Sequence, residues 1–461
     1  MTEMKDNQTT NKKFTLFVMA LGAFMIPFMG SSINIGLPSI GKEFGMDVIV
    51  LSWVTGAYLL VLSAFQIPSG RIADIYGRKK VFMWGFIIYT FFSALCAMSS
   101  SAFFFIASRS LQAIGASMTF STGVAILMSI FPAEERGKVL GISIAAVYLG
   151  QSCGPFLGGL LIHYFGWRTI FLINIPLGLL IIYFTLWKLK GEWTEARGEK
   201  FDLIGSILYS FTIVTVMYGF SLLPRMWGVF SILLGLTGAW AFVKWETQSE
   251  SPVLDIGFFR NNKVFAFSSI ATMINFSATF AVGFLLSLYL QLVKGLSPHT
   301  AGMIMISQPI VQTCFSPFAG RMSDRIEPRI VASIGMALTA VGLSLFIFLD
   351  EETTILFVVV SLILVGFGLA LFSSPNTNAV MSSIGKKHYG VASGTLGTMR
   401  ITGNMFSMGI VMLIFSLWIG RVQITASHSP LFIKSLKSIF IIFTVLCLTG
   451  IFASLHRGRV R

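Results

Sequence analysis

The sequence has few charged residues and few cysteines for its length. Asp, Glu, Lys and Arg make up 11% of the 461 residues, whereas hydrophobic residues make up 55%. A soluble protein of this size could not keep such a surface in water, so the composition indicates a chain whose solvent is lipid. The four cysteines fall inside apolar runs without metal-ligand spacing, and we interpret them as small core residues: Cys96, Cys153, Cys314 and Cys447.

Sequence patterns typical of enzymes and nucleotide-binding proteins are also missing. The chain has no nucleophile placed beside a base, no metal-ligand cluster and no phosphate-cradling loop. Direct coupling to ATP and enzymatic activity are therefore not expected, and neither is a cofactor or a metal ion. The net charge of +14 would suggest nucleic acid in a soluble chain, but basic loops facing anionic lipid explain it better, so no nucleic acid partner is expected.

Long, continuously apolar runs dominate what the sequence does contain. A bilayer core ~30 Å thick requires about 20 apolar residues per helix, and continuous rather than alternating apolarity indicates helices instead of a barrel. We therefore predict an all-α polytopic membrane protein with fourteen transmembrane helices. The predicted spans are 14–38, 49–69, 81–98, 101–130, 138–162, 168–189, 203–223, 226–245, 264–291, 300–320, 330–349, 353–376, 390–418 and 434–455.

Lysine and arginine occur mainly on one side of these predicted spans. They cluster in both tails and in the loops 70–80, 136–138, 188–200, 244–263, 321–329 and 386–387. One of the opposite loops carries the acidic run Asp350-Glu351-Glu352. Because basic loops stay on the cytoplasmic side, we expect both termini to be cytoplasmic. A polar N-terminal tail leads directly into the first span, so we expect no cleavable signal.

The second half of the chain repeats features of the first half. Asp324 follows Asp74 by 250 positions (324 − 74), and Gly403 follows Gly150 by 253 positions (403 − 150). Six spans with short loops need fewer residues than this, so we infer that two spans are inserted between two pseudo-symmetric six-helix bundles. The predicted domains are an N-terminal bundle over 1–190, an inserted two-helix linker over 191–262 and a C-terminal bundle over 263–461.

A charged turn bounded by glycines lies between the second and third predicted spans. It reads Gly70-Arg71-Ile72-Ala73-Asp74-Ile75-Tyr76-Gly77-Arg78-Lys79-Lys80, and a shorter copy reads Gly320-Arg321-Met322-Ser323-Asp324-Arg325. Glycine gives a tight turn its backbone freedom, and a carboxylate at Asp74 can meet a helix N-terminus or a basic partner. The pattern resembles the loop between the second and third helices of the major facilitator superfamily of secondary transporters.

This resemblance implies that the turn is a gate that holds the cytoplasmic side shut. The candidate gate residues are Gly70, Arg71, Asp74, Gly77, Arg78 and, in the weaker copy, Asp324. The alternative is an ordinary basic loop that only fixes the topology.

The fifth predicted span carries glycines at helical spacing together with one proline. These candidate residues of an exporter helix are Gly141, Gly150, Gly154, Pro155, Gly158 and Gly159. Glycines four apart let the backbone of a neighbouring helix approach closely, and a proline permits a bend. The spacing resembles the pattern found in exporters of the superfamily, although ordinary helix packing through small residues remains the alternative.

Further segments resemble the fourteen-span drug:proton antiporter branch, which contains multidrug efflux transporters. They are Arg109-Ser110-Leu111-Gln112-Ala113-Ile114-Gly115, the segment from Trp167 to Gly178, Phe201-Asp202, Ser374-Pro375-Asn376-Thr377-Asn378 and Gly390-Val391-Ala392-Ser393-Gly394. The resemblance implies the major facilitator fold and the export of amphiphilic or lipophilic small molecules by alternating access, in exchange for protons. It also implies a plasma membrane location, and we expect a monomer surrounded by the lipid bilayer.

One feature expected of proton-coupled relatives is missing. All nineteen carboxylates lie in predicted loops, tails or helix ends, and none lies in the middle of a span. Aligned on Asn34 and Leu37-Pro38, the position that carries a carboxylate in many relatives is Met29. A proton carrier usually needs a buried Asp, Glu or His whose pKa can be tuned near neutrality. The sequence does not supply the usual group.

Polar side chains inside the spans are candidates for substrate binding or coupling. They are Ser31, Asn34, Tyr58, Arg109, Gln112, Gln308, Gln312 and Arg400. Uncharged hydrogen-bonding groups among Phe and Met suit an amphiphilic ligand, although each could instead join two helices. A charge in the middle of a bilayer costs at least ~2.5 kcal/mol unless it faces the protein interior, so both arginines should face a cavity or a polar contact.

Two other functions remain open at this point. In the first, the same fold exports anionic or lipid-like substrates through Arg109 and Arg400, without the usual buried carboxylate for proton coupling. In the second, the chain is a receptor or scaffold that has lost transport. The intact gate and exporter patterns argue against the second.

Overall fold

α-Helices make up nearly all of the described structure. The computed structural model describes residues 2–132, 135–249, 253–254, 257–323, 325–384, 389–420, 422 and 428–458. The helices of the first half are α1 (Thr2–Glu43), α2 (Val48–Tyr76), α3 (Arg78–Ala97), α4 (Ala102–Ile130), α5 (Arg136–Phe165), α6 (Thr169–Leu172) and α7 (Asn174–Lys188). An intervening pair follows, α8 (Leu203–Leu222) and α9 (Met226–Glu246). The remaining helices are α10 (Gly257–Asn261), α11 (Lys263–Thr279), α12 (Val282–Leu288), α13 (Pro298–Met305), α14 (Ser307–Ser323), α15 (Pro328–Leu345), α16 (Ile355–Ser382), α17 (Tyr389–Trp418) and α18 (Ser429–His456).

Polar residues at the helix starts explain several of these boundaries. Asp47 precedes α2 and its carboxylate accepts hydrogen bonds from the backbone N–H of Ile49 (2.9 Å) and Val50 (2.8 Å). Asp202 caps α8 in the same way, through the N–H of Gly205 at 2.8 Å. Such caps satisfy backbone donors that the first helical turn leaves without partners, and this matters most where the chain enters an apolar medium.

Thirteen of the described helical segments are long and apolar enough to cross a membrane. The remaining predicted span, 300–320, is divided into α13 and α14. Pro309 explains the break. It has no backbone N–H, so the helical hydrogen bond to the carbonyl of Met305, one turn earlier, cannot form. The helix resumes where the N–H of Ile310 donates to the carbonyl of Ile306 at 3.1 Å. The fold therefore has the predicted fourteen spans, one of them kinked.

Another predicted span, 264–291, is interrupted as well. It consists of α11, α12 and a π-helical turn over Tyr289–Val293. Between α11 and α12 the N–H of Ala281 donates to the hydroxyl of Ser407 at 3.1 Å. This contact ties the interruption to α17. At the N-terminus, α1 begins at Thr2, well before the predicted start of the first span at 14.

The two halves pack their helices in the same way. A Cβ on Gly85 of α3 would lie 2.9 Å from the carbonyl oxygen of Gly115 on α4. In the second half, a Cβ on Gly335 of α15 would lie 2.7 Å from the carbonyl oxygen of Gly368 on α16. These pairs are offset by 250 (335 − 85) and 253 (368 − 115) positions. Equivalent glycines thus allow equivalent close crossings in each half.

A second pair of crossings repeats in the same manner. A Cβ on Gly150 of α5 would lie 2.2 Å from the carbonyl oxygen of Phe24 on α1, and one on Gly403 of α17 would lie 2.5 Å from that of Met273 on α11. The chain thus forms two pseudo-symmetric six-helix bundles with two additional helices, the predicted fold class.

The bundles meet in the middle of the molecule and at one end only. We call the end that carries both termini the terminal end and the opposite end the far end. At the far end, the backbone N–H of Val48 donates to the carbonyl of Val422 at 3.1 Å and joins the bundles. Among the described residues, the side-chain hydrogen bonds that join them are Ser63–Thr402 (3.4 Å), Ser152–Thr313 (3.2 Å), Ser287–Asn34 (2.5 Å) and Gln291–Ile35 (3.0 Å). All four lie at mid-height or toward the far end, so the bundles are held together there.

The terminal half is more open. A Cβ added to Gly141 of α5, or to Gly394 or Gly397 of α17, would have no described atom within 4 Å. In contrast, a Cβ added to Gly159 or Gly302, nearer the far end, would lie 2.6 or 2.1 Å from a backbone carbonyl oxygen of the opposite bundle. The structure is therefore closed at its far end and opens toward its terminal end.

Helix α8 of the additional pair covers the seam between the bundles, and α9 packs against α8. On α8, the hydroxyl of Tyr209 donates to the carbonyl of Ser63 at 3.1 Å, and Ser210 donates to that of Ala64 at 2.9 Å. The ring of Phe220, also on α8, lies edge-on to that of Phe406 on α17, with centroids 6.0 Å apart. Helix α8 thus contacts α2 of the first bundle and α17 of the second. The domain boundaries at 190/191 and 262/263 remain predictions.

Candidate functional site

The predicted loop 70–80 is mostly helical, because α2 continues to Tyr76 and α3 begins at Arg78. Gly77 alone forms the tight connection between the two helices, and we keep the name turn for residues 70–80. Gly77 ends α2 and precedes α3 with φ of 121°, a conformation that favours glycine strongly over residues with a Cβ. A Cβ at Gly77 would also lie 2.5 Å from the carboxyl carbon of Glu192. At Gly70, the other glycine of the turn, an added Cβ would make only an ordinary contact, 3.6 Å from the Cβ of Ser121.

Arg78 lies at the centre of the turn and is buried. Its guanidinium binds the carboxylate of Asp74 at 2.7 Å and that of Glu195 at 2.7 Å. It also donates to the hydroxyl of Ser129 at 2.6 Å and to the carbonyl of Ala125 at 3.2 Å, both on α4. This arginine therefore fixes the turn to α4 and to a segment that follows α7.

That segment, residues 189–202, crosses the turn, and we call it the strap. Its backbone is paired with the turn, because the N–H of Arg78 donates to the carbonyl of Trp193 and the N–H of Ala196 to that of Asp74, each at 3.0 Å. Glu199 forms an ion pair of 2.5 Å with Arg71. Backbone pairing and ion pairs thus act together on the gate residues.

The strap binds the start of α3 as well. Glu192 accepts a hydrogen bond of 2.8 Å from the backbone N–H of Lys79, and the ammonium of Lys79 donates to the carbonyl of Leu189. The candidate gate residues Arg71, Asp74 and Arg78 are therefore brought together by the structure. Asp324, the candidate in the second copy, lies outside the described residues.

Sequence reasoning did not identify Glu192, Glu195 and Glu199. The signal was present, since the strap carries four acidic residues, these three and Asp202, beside three basic ones, Lys190, Arg197 and Lys200. Their spacing alone did not reveal that the segment crosses a turn more than a hundred residues earlier in the chain.

In the first bundle, three candidate substrate or coupling residues form one closed cluster. Arg109 is 1% exposed, and its guanidinium lies over the ring of Tyr58 at 4.1 Å. It donates to the side-chain oxygen of Gln112, whose amide donates to the hydroxyl of Ser93 at 2.5 Å. The cluster joins α2, α3 and α4. Arg109 thus makes an interhelical contact, one of the two placements expected for it.

Two other candidates lie where helices meet. The hydroxyl of Ser31 donates to the carbonyl of Pro27 at 2.9 Å, and it would lie only 1.8 Å from a Cβ on Gly154. Ser31 therefore packs between α1 and α5. Asn34 lies between the bundles. Its backbone carbonyl accepts a hydrogen bond from the hydroxyl of Ser287, and its side-chain nitrogen would lie 3.2 Å from a Cβ on Gly283.

Gln308 and Gln312 both lie on α14. Gln312 is buried, and Gln308 is partly buried, with its carbonyl 2.3 Å from the position of a Cβ on Gly366 of α16. These two residues follow the kink and lie apart from the cluster of Arg109.

The glycines of the candidate exporter helix α5 are divided between two neighbours. Gly150, Gly154 and Gly158 approach α1, where added Cβ atoms would lie 2.2 Å, 1.8 Å and 2.7 Å from existing atoms. Pro155 and Gly159 approach α13 of the other bundle: a Cβ on Gly159 would lie 2.6 Å from the carbonyl oxygen of Pro298. This helix therefore belongs at once to a bundle and to the interface between bundles.

Arg400, the last candidate, lies in the second bundle. Its guanidinium is 5.0 Å from the ring centroid of Phe276, and it lines a pocket that also contains Asn376. Asn376 accepts a hydrogen bond of 2.8 Å from Arg457, a fully buried arginine beyond the end of α18. Sequence reasoning missed Arg457 because it belongs to a basic tail that the positive-inside rule already explained.

The described carboxylates all lie in loops or near helix ends. The most buried of them is Glu246, 3% exposed, at the last position of α9. It accepts a hydrogen bond of 2.9 Å from the N–H of Leu254. In the described part of the chain, no carboxylate therefore lies midway along a span.

Two related helical bundles in lipid, joined at one end and open at the other, define a membrane transporter and not an enzyme. The sequence matches the model of the Major Facilitator Superfamily over residues 19–245 and 268–460, and the chain belongs to this family.

Relatives with transport functions align along most of the chain. The "Riboflavin transporter RibZ" of Clostridioides difficile (strain 630) is 29% identical, over 95% of this chain and 96% of the relative. The "Multidrug resistance protein Stp" of Mycobacterium tuberculosis (strain CDC 1551 / Oshkosh) is 30% identical, over 88% of this chain and 76% of the relative. The solved structure of the human organic anion transporter MFSD10 (TETRAN) is 15% identical, with a TM-score of 0.63 and coverage of 96% of this chain and 99% of that chain. At this identity, the structural likeness concerns the fold alone.

Proposed function

We propose that the protein exports amphiphilic or lipophilic small molecules by alternating access, in exchange for protons. The observation that carries the proposal is the packing of the two bundles, which are joined at the far end and open toward the terminal end. A transporter that alternates must reverse this arrangement. The exporter-like glycines of α5 and a relative named as a multidrug resistance protein support the direction and the substrate class.

The terminal end is the cytoplasmic end in this proposal. The basic turn at 70–80 and both termini lie there, and the acidic residues Asp350, Glu351 and Glu352 lie at the far end. The conformation described above is then inward-open, ready to take a substrate from the cytoplasm or the inner leaflet. We further propose that the protein acts as a monomer in the plasma membrane.

The turn around Asp74 and Arg78 is the cytoplasmic gate in this scheme, and the strap is part of it. In the open state, two glutamates of the strap form ion pairs with the turn: Glu199 binds Arg71, and Glu195 binds Arg78. Closing the terminal end requires these arginines to meet the other bundle, so the ion pairs with the strap must rearrange. The strap would then stabilise the inward-open state.

Alternation can be tested by locking the bundles where they touch. The hydroxyls of Ser152 and Thr313 are 3.2 Å apart, so cysteines at both positions are close enough for a disulfide. In a background with the native cysteines replaced by serine, including the adjacent Cys153 and Cys314, oxidation is expected to stop transport. Reduction is expected to restore it. The single cysteine variants serve as controls, and full transport by the oxidised double variant would contradict alternating access at this interface.

Proton coupling can be tested in proteoliposomes whose lumen faces the far end. An acidic lumen two pH units below the outside supplies about 2.7 kcal/mol for each exchanged proton, enough for about 100-fold accumulation of a substrate in the lumen. We expect accumulation to follow the gradient and to collapse when a protonophore is added. Transport that proceeds equally with and without the gradient would exclude antiport and leave the exporter assignment standing.

A second candidate function is supported by one specific observation. Arg400 lines a pocket without an acidic partner, and in the described parts of the spans no carboxylate could neutralise a cationic drug. The same fold could therefore export anionic or lipid-like substrates. This alternative predicts weak transport of quaternary cations, and robust ethidium efflux that is unchanged by Arg400→Gln would contradict it.

A further inference from the structure

A polar pocket in the second bundle lies between α11, α16 and α17. Asn376 is at its centre: its amide donates to the hydroxyl of Thr272 at 2.8 Å and to the carbonyl of Ser268 at 3.0 Å. Its side-chain oxygen accepts from Arg457 at 2.8 Å. The hydrogen bonds of Asn376 thus connect α11, α16 and the end of α18.

Arg457 has more donors than partners. It is 0% exposed, and its Nη1 also approaches the hydroxyl of Ser268 at 3.3 Å. Its Nε and Nη2 are buried without a hydrogen-bond partner in the described structure. Burial lowers the pKa of Arg457 to about 10, so the group still carries its charge at neutral pH. The charge of Glu327 acts on Arg457 in the opposite direction and raises its pKa. A buried guanidinium with free donors favours an anion nearby.

Arg400 adds a second positive charge on the same pocket. Its Nε is also buried without a partner in the part of the chain that the structure describes, and so is the hydroxyl of Ser373, another lining residue. Among the described residues, no carboxylate lines the pocket. Arg109 differs in that its guanidinium binds Gln112 and lies over an aromatic ring. The buried Nε of Arg109 also lacks a partner among the described residues, so what sets Arg400 apart is that it lines this pocket.

The rest of the pocket is mostly apolar, and the space is small. Phe276, Phe372 and Leu396 line it, and the cavity itself is about 10 Å³, enough for about one water molecule. It can therefore receive only the end of a charged group, and not a ring. Gly397, one turn before Arg400 on α17, has no described atom within 4 Å of a Cβ position, so the larger part of a ligand has room beside α17.

We propose that this pocket binds the anionic group of a small aromatic carboxylate. The carboxylate accepts hydrogen bonds from Arg400, and the aromatic ring lies in the open space beside α17, next to the partly exposed Phe276. Arg457 is a positioning residue that orients the amide of Asn376 and contributes a second positive charge. The inference rests on the proposed transport function, since it assigns a substrate class to this transporter.

Binding can be measured as thermal stabilisation of the purified protein in neutral detergent. A ligand that binds the folded state raises its melting temperature, and the concentration dependence gives an apparent affinity. The probe is 1-naphthoate, and its matched neutral analogue is 1-naphthamide. We expect stabilisation by the carboxylate and little or none by the amide. Equal stabilisation by both compounds would overturn the proposal, because charge would then play no part.

Arg400→Gln is expected to weaken naphthoate binding at least about tenfold, because charge-assisted hydrogen bonds to the carboxylate are lost. Arg457→Gln is expected to weaken binding as well, because Asn376 loses the partner that orients it and the pocket loses a nearby positive charge. Arg457→Lys, which keeps the charge, is expected to recover part of the affinity and remains informative if the glutamine variant fails to fold. Arg325→Gln removes an exposed arginine at the same end of this bundle and is the matched control. Unchanged affinity in both glutamine variants would overturn the proposal.

Two further arms separate other sources of negative charge. Inorganic phosphate is expected to stabilise the protein less than naphthoate, and phosphatidylglycerol added to the detergent is not expected to compete. Equal stabilisation by phosphate, or competition by the lipid, would overturn the assignment to an aromatic carboxylate.

Export of a neutral amphiphile is measured separately with the wild-type protein in proteoliposomes. Export without arginine-dependent naphthoate binding refutes this inference alone. Arginine-dependent binding without export of any tested compound refutes the transport function alone.

Discussion

Replacing Gly150 by valine is expected to prevent stable folding, while the same replacement at Gly141 leaves the fold intact. The two glycines lie on one helix, α5, but differ in surroundings. A Cβ at Gly150 would lie 2.2 Å from the carbonyl oxygen and 3.0 Å from the carbonyl carbon of Phe24, whereas one at Gly141 would meet no described atom within 4 Å. The clash is with the backbone of α1, so it cannot be relieved by a side-chain rotation and must separate two helices.

We expect Gly150→Val to cost about 3 kcal/mol or more, at the upper end of the range for overpacked sites. The measurement is the melting temperature of the detergent-purified protein, together with its yield as a monodisperse species. Gly141→Val is the matched control, because the residue change and the helix are the same. Similar melting temperatures for the two variants would contradict the close approach of α1 and α5.

Gly141→Val has a separate consequence for transport. If the terminal end closes during the cycle, Gly141 has to approach the neighbouring helices, and a larger side chain would obstruct that step. A folded variant with transport reduced about tenfold or more would assign Gly141 to the closed conformation. Full transport by this variant would show that the glycine has no role in the cycle.

Replacing Arg78 by glutamine is expected to abolish transport and to release the strap. Arg78 binds both Asp74 and Glu195, whose side chains are 33% and 68% exposed. Without it, two carboxylates face each other at the turn, and the hydrogen bonds to α4 are weakened. Because both carboxylates reach solvent, we expect a loss of stability of only about 1–3 kcal/mol, so the variant still reaches the membrane. Release of the strap is measured as faster protease cleavage within 189–202.

Two controls separate the gate from the strap. Arg71→Gln removes one exposed ion pair, with Glu199, and is expected to change stability by less than about 1 kcal/mol. Asp74→Asn keeps Arg78 bound to Glu195, so the strap should remain protected from protease while transport is lost. Normal transport by Asp74→Asn would remove the gate role from this turn.

The gate shows which residues of the site could be identified from the sequence alone. The pattern of 70–80 identified Arg71, Asp74 and Arg78, because glycines and charges in a turn are local features. It did not identify Glu195, which is 117 positions from Arg78 and binds the same guanidinium. Pairing at this distance depends on how α7 returns the chain to the turn. Neither the periodicity nor the composition of the sequence indicates where that return occurs.

The polar candidates inside the spans show the same limit. Tyr58, Arg109 and Gln112 were identified one by one as possible cavity residues, and the structure instead places them in a single closed cluster. Arg457 was overlooked, although it is fully buried and bound to Asn376 across 81 positions. An arginine in a basic tail looks the same in sequence whether it faces water or the interior.

The sequence by itself determined the class of this protein, the number of its spans and its two-fold repeat. Those properties follow from the lengths of apolar runs, from local turn patterns and from the constant spacing between repeated residues. All three can be read directly from the order of the amino acids. Only the tertiary structure decided which glycines of α5 pack against α1, which end of the molecule is open and which arginines lack partners. These depend on helix crossings between residues far apart in sequence, where a difference of 1 to 2 Å separates a contact from empty space.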